Sequence, residues 1–246
     1  MKGFFIAVAS AIISFAAQAG EAVTYIMDGE TFEGYRSAAK ANSKGLVLII
    51  HDWDGLTEYE MKRAEMLAEM GYDAFAVDLF GKGNRPTDIA AKKRETSRLY
   101  QDRERMRSLI VRGLEEARKT SGGKTVVMGY CFGGAATLEL ARSGKGKGIA
   151  GYASFHGGLV TPENQTYSSD TPPILIAHGG ADTSVSMDQV AALGGELESA
   201  SVTYEIQIYS GAPHGFTEFG SERYQTRADE QSWKAFSEFL ASNLAD

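Results

Sequence analysis

Gly129-Tyr130-Cys131-Phe132-Gly133-Gly134 decides the reading of this chain. The stretch follows an apolar run, Thr125-Val126-Val127-Met128, and precedes a helix-forming run from Ala135 to Arg142. A Gly-x-Cys-x-Gly frame between a buried strand and a helix is the pattern of a nucleophile elbow. Glycines on both flanks remove Cβ atoms where strand and helix meet. The tight turn lifts the central side chain over the sheet, at the positive end of the following helix. Here that side chain is a thiol, and it belongs to the one cysteine of the chain. A lone cysteine is more often a small buried apolar residue. A chemical role therefore depends on finding a base and an acid at matching places downstream.

Working outward, apolar strand-like runs alternate with helix-like runs, the mark of a mostly parallel sheet covered on both faces. Val23 to Met27 and Thr31 to Arg36 flank Asp28-Gly29 and predict an antiparallel hairpin at the sheet edge. Leu46 to Ile50, Ala74 to Val77, Ile149 to Phe155, Ile174 to Ala177 and Val202 to Tyr209 predict further strands. Tyr59 to Met70, Met187 to Ala200 and Asp229 to Leu244 predict helices, the first ended by Gly71. Ile89 to Lys119 predicts a long polar helix with a break near Gln101. The loops 51–58, 78–88, 156–172, 178–186 and 211–218 follow predicted strand ends and carry unusual polar residues. In open α/β sheets ligands bind at that edge, and the stretch from Leu159 to Thr171 is the candidate cover.

Two further motifs supply the partners. His178-Gly179-Gly180-Ala181-Asp182 follows one predicted strand, and Gly211-Ala212-Pro213-His214-Gly215-Phe216 follows another. Cys131, Asp182 and His214 stand in the order nucleophile, acid, histidine expected of an α/β-hydrolase. The chemistry calls for these types: a thiolate attacks, an imidazole carries the proton, and a carboxylate fixes the imidazole. Asp182 alone would read as a turn or cap residue, and His214 beside Pro213 as a turn residue. Three matches in order, each after a strand, favour the joint assignment. His51, His156 and His178 also fall at strand ends, but their spacing matches no zinc motif. No metal or cofactor is called for, and His178 is expected to order the acid loop.

The ends and the charge bound the rest. Lys2, the apolar run Phe4 to Phe15 and Ala17-Gln18-Ala19 read as a signal peptide over residues 1–19, too short to span a bilayer comfortably. A hydrophobic first helix is the alternative. Residues 20–246 then form one α/β domain in the periplasm or outside the cell, with no membrane contact after cleavage. The formal net charge is −7, and without a basic stripe nucleic acid is not an expected partner. No internal disulfide can form from one cysteine, and an unpaired thiol in an oxidising compartment favours a use for it. No exposed apolar stripe argues against a monomer.

The chain resembles the dienelactone hydrolase family, also called carboxymethylenebutenolidase-like. The resemblance rests on the cysteine elbow, Gly71-Tyr72-Asp73-Ala74 leading to Asp78-Leu79-Phe80, His178 to Asp182, and His214-Gly215-Phe216. It implies an α/β-hydrolase fold and an acidic group that holds the resting thiol and is displaced by substrate. Asp52 matches that position, although many members carry the longer glutamate. It also implies an oxyanion hole from the backbone N–H groups of Trp53 and Phe132; Trp53 alone would read as a pocket wall or core aromatic. The dienelactone enzymes hold a substrate carboxylate with two arginines. Near those positions this chain has Lys82 and Glu218, so an uncharged ester or lactone is the better expectation. Lys82, Glu218 and Phe216 are the candidate substrate contacts, Lys82 and Arg85 being equally readable as solvated cations. The reaction implied is hydrolysis of a small carboxylic ester or lactone through an acyl-thioester. Acyl transfer from the same thioester, or a relative that only binds a small molecule, is the alternative; a redox role would normally bring a resolving cysteine.

Overall fold

The computed structural model describes residues 20–245; the expected leader, residues 1–19, lies outside the described residues. Strands β1 (Glu21–Met27) and β2 (Glu30–Ser37) form the N-terminal hairpin around Asp28-Gly29, both with positive φ. They join β3 (Leu46–Ile50), β4 (Asp73–Val77), β5 (Thr125–Tyr130), β6 (Ile149–Phe155), β7 (Ile174–Gly179) and β8 (Tyr204–Tyr209). The sheet has eight strands in the order β1-β2-β4-β3-β5-β6-β7-β8. The β1–β2 and β2–β4 pairings are antiparallel and all others parallel. This is the α/β-hydrolase architecture.

β3 shows how the sequence pattern becomes layers. All five of its residues are buried. Leu46, Leu48 and Ile50 face one core cluster and Val47 and Ile49 the other, as a period of two requires for a strand covered on both faces. The first face is closed by α3 (Arg103–Arg118), α4 (Phe132–Ser143) and α5 (Met187–Ser199), through residues such as Leu109, Leu140 and Leu193. The second is closed by α1 (Glu58–Glu69) and α6 (Thr226–Leu244), through Leu67, Phe236 and Leu240. The expected break in the long polar helix falls at Asp102, between α2 (Ile89–Gln101) and α3. Asp102 accepts a hydrogen bond from the Arg105 N–H at 2.9 Å, so its short carboxylate caps a new helix instead of continuing the old one. β8 begins two residues later than its β-branched run predicts, because the Val202 N–H is still bonded to Leu197 at the end of α5. Among the described residues no helix is long and apolar enough to cross a membrane.

Candidate active site

The site lies where β3, β5, β6, β7 and β8 end. β5 runs into Cys131, whose φ of 48° and ψ of −109° mark the sharp turn before α4. The flanking glycines are sterically required. A Cβ on Gly129 would stand 2.2 Å from the Gly133 carbonyl oxygen, and one on Gly133 would stand 2.2 Å from that of Ile50. The Cys131 N–H donates to the Phe155 carbonyl at 3.0 Å, which pins the turn to the neighbouring strand.

The structure brings Cys131, Asp182 and His214 into one chain of contacts. His214 Nε2 lies 3.1 Å from Cys131 Sγ, and Nδ1 lies 2.8 Å from Asp182 Oδ2. The other Asp182 oxygen accepts the N–H groups of Ser184 at 2.7 Å and Val185 at 2.9 Å. Burial pushes the Asp182 carboxyl up, but the His214 bond and these N–H donors outweigh it and hold it below the usual range. An ionised Asp182 accepts from the Nδ1–H of His214 and so leaves Nε2 directed at the Cys131 sulfur. The Cys131 thiol is pushed well above its usual range, first by burial and then by the charge and hydrogen bond of Asp52. The Phe132 N–H and the Arg223 charge oppose that shift. At rest the sulfur is therefore a thiol.

Asp52 and Trp53 occupy the loop after β3. The Trp53 N–H donates to Asp52 Oδ1 at 2.5 Å, so the expected oxyanion donor is engaged by the carboxylate that also faces the thiol. Burial pushes the Asp52 carboxyl up to about 6, against the pull of the Trp53 N–H. Two buried side chains hold this loop. His51 Nδ1 donates to the Asp52 carbonyl at 2.6 Å, while its Nε2 accepts the Leu79 N–H at 3.1 Å. Burial lowers its pKa, which suits this neutral tautomer. Glu60 accepts the Asp52 N–H at 3.2 Å and the Thr57 N–H at 2.8 Å. Thr57 and Glu60 form a complete capping box at the start of α1, a pattern legible in Thr57-Glu58-Tyr59-Glu60 and overlooked in the sequence reading.

The candidate substrate contacts fare differently. Lys82 is turned to the N-terminal hairpin, with Nζ 2.5 Å from Glu33 and 3.3 Å from Thr24. Glu218 is paired with Arg223 at 2.7 Å. Phe216 is fully buried in the second core cluster, against Tyr209 and His156, because the turn at Gly215, φ 76°, directs it inward. Arg85 bonds backbone carbonyls of its own loop and Asp78. His178 is buried with neither ring nitrogen bonded among the described residues. The acid loop is ordered instead by backbone bonds from Gly180 to Tyr209 and from Ala181 to Ala212.

The sequence reading missed the pocket wall. A cavity of about 290 Å³ opens beside the elbow helix, walled by Tyr100, Arg103, Arg142, Leu159, Ser184 and Val185 among others. Tyr100 leans on Phe132, ring centroids 5.4 Å apart. Beneath, the fully buried Glu139 carboxylate meets Arg103 at 2.8 Å, Arg107, and Arg142 at 3.2 Å. No local motif marks this group, since its members come from two helices that only the fold brings together. Arg223 was missed for the same reason: its guanidinium covers Gly215, next to His214. Among the described residues no cluster of His, Cys, Asp and Glu could hold a metal ion.

Residues 32–244 match the family model described as "Dienelactone hydrolase family". The carboxymethylenebutenolidase of Rhodococcus opacus is 27% identical over 223 residues, covering 85% of this chain and 85% of that protein. The protein usf of Aquifex pyrophilus is 27% identical over 234 residues, covering 92% and 99%. Among solved structures, m3DLH is 26% identical with a TM-score of 0.81, over 93% of this chain and 99% of that one. A dienelactone hydrolase-like promiscuous phosphotriesterase from metagenomic libraries shares the fold, with 24% identity and a TM-score of 0.79 over 91% and 98%.

Proposed function

The chain belongs to the dienelactone hydrolase family, and from that membership and the site geometry we propose that it hydrolyses a small carboxylic ester or lactone with Cys131 as nucleophile. The observation that carries this is the single imidazole of His214 spanning Cys131 Sγ and the Asp182 carboxylate. As a substrate carbonyl enters, Asp52 leaves the Trp53 N–H and the thiol. His214 Nε2 takes the thiol proton while sulfur adds to the carbonyl carbon. The oxyanion is received by the N–H groups of Phe132 and Trp53. The imidazolium, held by ionised Asp182, then gives its proton to the departing alkoxide as the C–O bond breaks, leaving a thioester. Water repeats the cycle: His214 removes its proton, hydroxide adds, and the thiolate leaves and is reprotonated, releasing the acid. The cavity beside α4 is the natural seat for the rest of the substrate.

Turnover of p-nitrophenyl acetate by the wild type and by Cys131→Ala, with intact-mass detection, tests this. The expected result is hydrolysis and a one-acetyl mass gain that both vanish in the variant. Equal turnover by the two proteins would remove Cys131 from the reaction. Export belongs to the same proposal: residues 1–19 act as a cleavable leader, and N-terminal sequencing of exported protein is expected to begin near Gly20.

A further inference from the structure

His156 is one of four histidines and takes no part in the steps above. It directly follows β6 with φ 38°, a left-handed conformation that non-glycine residues seldom adopt. Its N–H donates to the Ala177 carbonyl at 2.8 Å. Its buried ring stands against the His214 ring, centroids 5.2 Å apart and planes at 65°. Nε2 lies 2.8 Å from Thr217 Oγ1, and that hydroxyl lies 2.7 Å from the Tyr59 hydroxyl. Thr217 is three residues beyond His214 on the same loop, and its carbonyl accepts from the buried Arg63 guanidinium at 2.9 Å. Arg63 is in turn paired with Asp229. The loop that carries His214 is thus tied to β6, α1 and α6 through one threonine, and the tie to β6 is His156. Among the described residues the polar partners of Thr217 are Tyr59, Arg63 and His156, and of these His156 packs on the His214 ring.

We propose that His156 is a positioning residue: its ring and its Thr217 bond together set the plane of the His214 imidazole relative to Cys131 Sγ. The inference rests on the Cys131–His214 reading above. The geometry explains why a histidine suits this place. An aromatic ring is needed to wall the imidazole, and a polar atom at the Nε2 position is needed to hold Thr217. A phenylalanine supplies only the first, and a glutamine, whose amide nitrogen reaches a similar distance, supplies only the second. Burial keeps the ring neutral, so it does not oppose the imidazolium that forms beside it.

The test uses alkylation of Cys131 by iodoacetamide, a small neutral reagent, followed by intact mass on the full-length mature protein. In His156→Phe the alkylation rate is expected to fall about tenfold or more, the scale on which misplaced catalytic groups act. Thr217→Val is expected to fall alongside it, and His156→Gln to recover part of the loss. In a His214→Ala background His156→Phe is expected to have no further effect, since the two act in series. Thermal melting checks that the variants fold, and Thr217→Val carries the test if His156→Phe does not. Wild-type alkylation rates in both single variants would overturn the proposal. An equal slowing in the His214→Ala background would also overturn it, since a merely structural role would act without His214. Alkylation needs no ester, so a wild type that alkylates in a His214-dependent way yet turns over no ester would refute the hydrolase reading and leave this one standing.

Discussion

Replacing Asp52 by asparagine isolates what its charge does to the thiol. The asparagine keeps an oxygen for the Trp53 N–H and removes the negative charge that raises the Cys131 pKa. The thiol pKa should therefore fall. For each unit it falls, the thiolate fraction rises tenfold while intrinsic nucleophilicity declines with a Brønsted slope of about 0.4–0.5, a net gain of about threefold to fourfold in alkylation rate. The pH dependence is the sharper test. Asp52 carries a carboxyl pushed up to about 6, so the wild type loses the same charge as the pH drops through that value. The ratio of Asp52→Asn to wild-type alkylation should be highest above pH 6 and approach one below it. Stability moves with it. A folded pKa raised from 3.8 to about 6 makes ionisation unfavourable to the fold, by at most about 3 kcal/mol at 1.36 kcal/mol per unit. Because the side chain is partly open to solvent, the observed value will be smaller. The asparagine variant should be the more stable protein above pH 6, and the advantage should vanish below the unfolded pKa. A rate ratio that stays constant with pH, or a variant alkylated more slowly than wild type, would refute the assigned role of the charge.

Asp182→Asn keeps the shape of the acid loop but permits the wrong His214 tautomer, and kcat should fall on the order of a thousandfold or more, with KM little changed in steady-state assays. Glu60, pushed up to about 8 by burial, holds a proton in the folded state that the unfolded chain releases above the ordinary carboxyl range. Wild-type stability should therefore decline as pH rises from the ordinary carboxyl value through about 8, and melts of Glu60→Gln should show a flatter profile. Glu139→Gln leaves Arg103, Arg107 and Arg142 without their shared anion, and denaturant unfolding should show a loss of about 3–5 kcal/mol.

The fold was legible because its signals are local and repeated. Leu46 to Ile50 could hardly be anything but a buried strand, and the elbow could sit only where β5 meets α4. The order of Cys131, Asp182 and His214 carried the core of the site, since each follows the end of a strand. The remaining side chains were less legible because their partners come from other elements. Lys82 was placed near the site by its loop, yet Glu33 and Thr24 on the hairpin hold it. Phe216 follows His214-Gly215, but beyond that positive-φ glycine it is fully buried in the second core cluster, packed on the His156 ring that also meets His214. Arg223 reaches the site from beyond the motifs, and no spacing rule would join it to Cys131. Glu60 is the exception, for its capping box was visible in the chain and its tie to the Asp52 loop follows from where α1 begins.

The strained positions share one mechanical solution. Cys131 and His156 both hold positive φ without being glycine, a cost of about 1–3 kcal/mol each. Each sits one residue beyond the end of its strand, and each is tied by its N–H to the strand beside it: Cys131 to Phe155 of β6, and His156 to Ala177 of β7. Gly180, one residue beyond β7, continues the series by donating to Tyr209 of β8. The parallel ladder is thus extended by one rung at three successive strands, where Cys131, His156 and the loop that carries Asp182 leave the sheet. Because the rungs share strands, moving β6 along its axis would shift both the carbonyl that holds Cys131 and the backbone that presents His156. The relative placement of sulfur, imidazole and carboxylate is therefore a property of strand register, and the side-chain hydrogen bonds refine a geometry that the sheet already imposes.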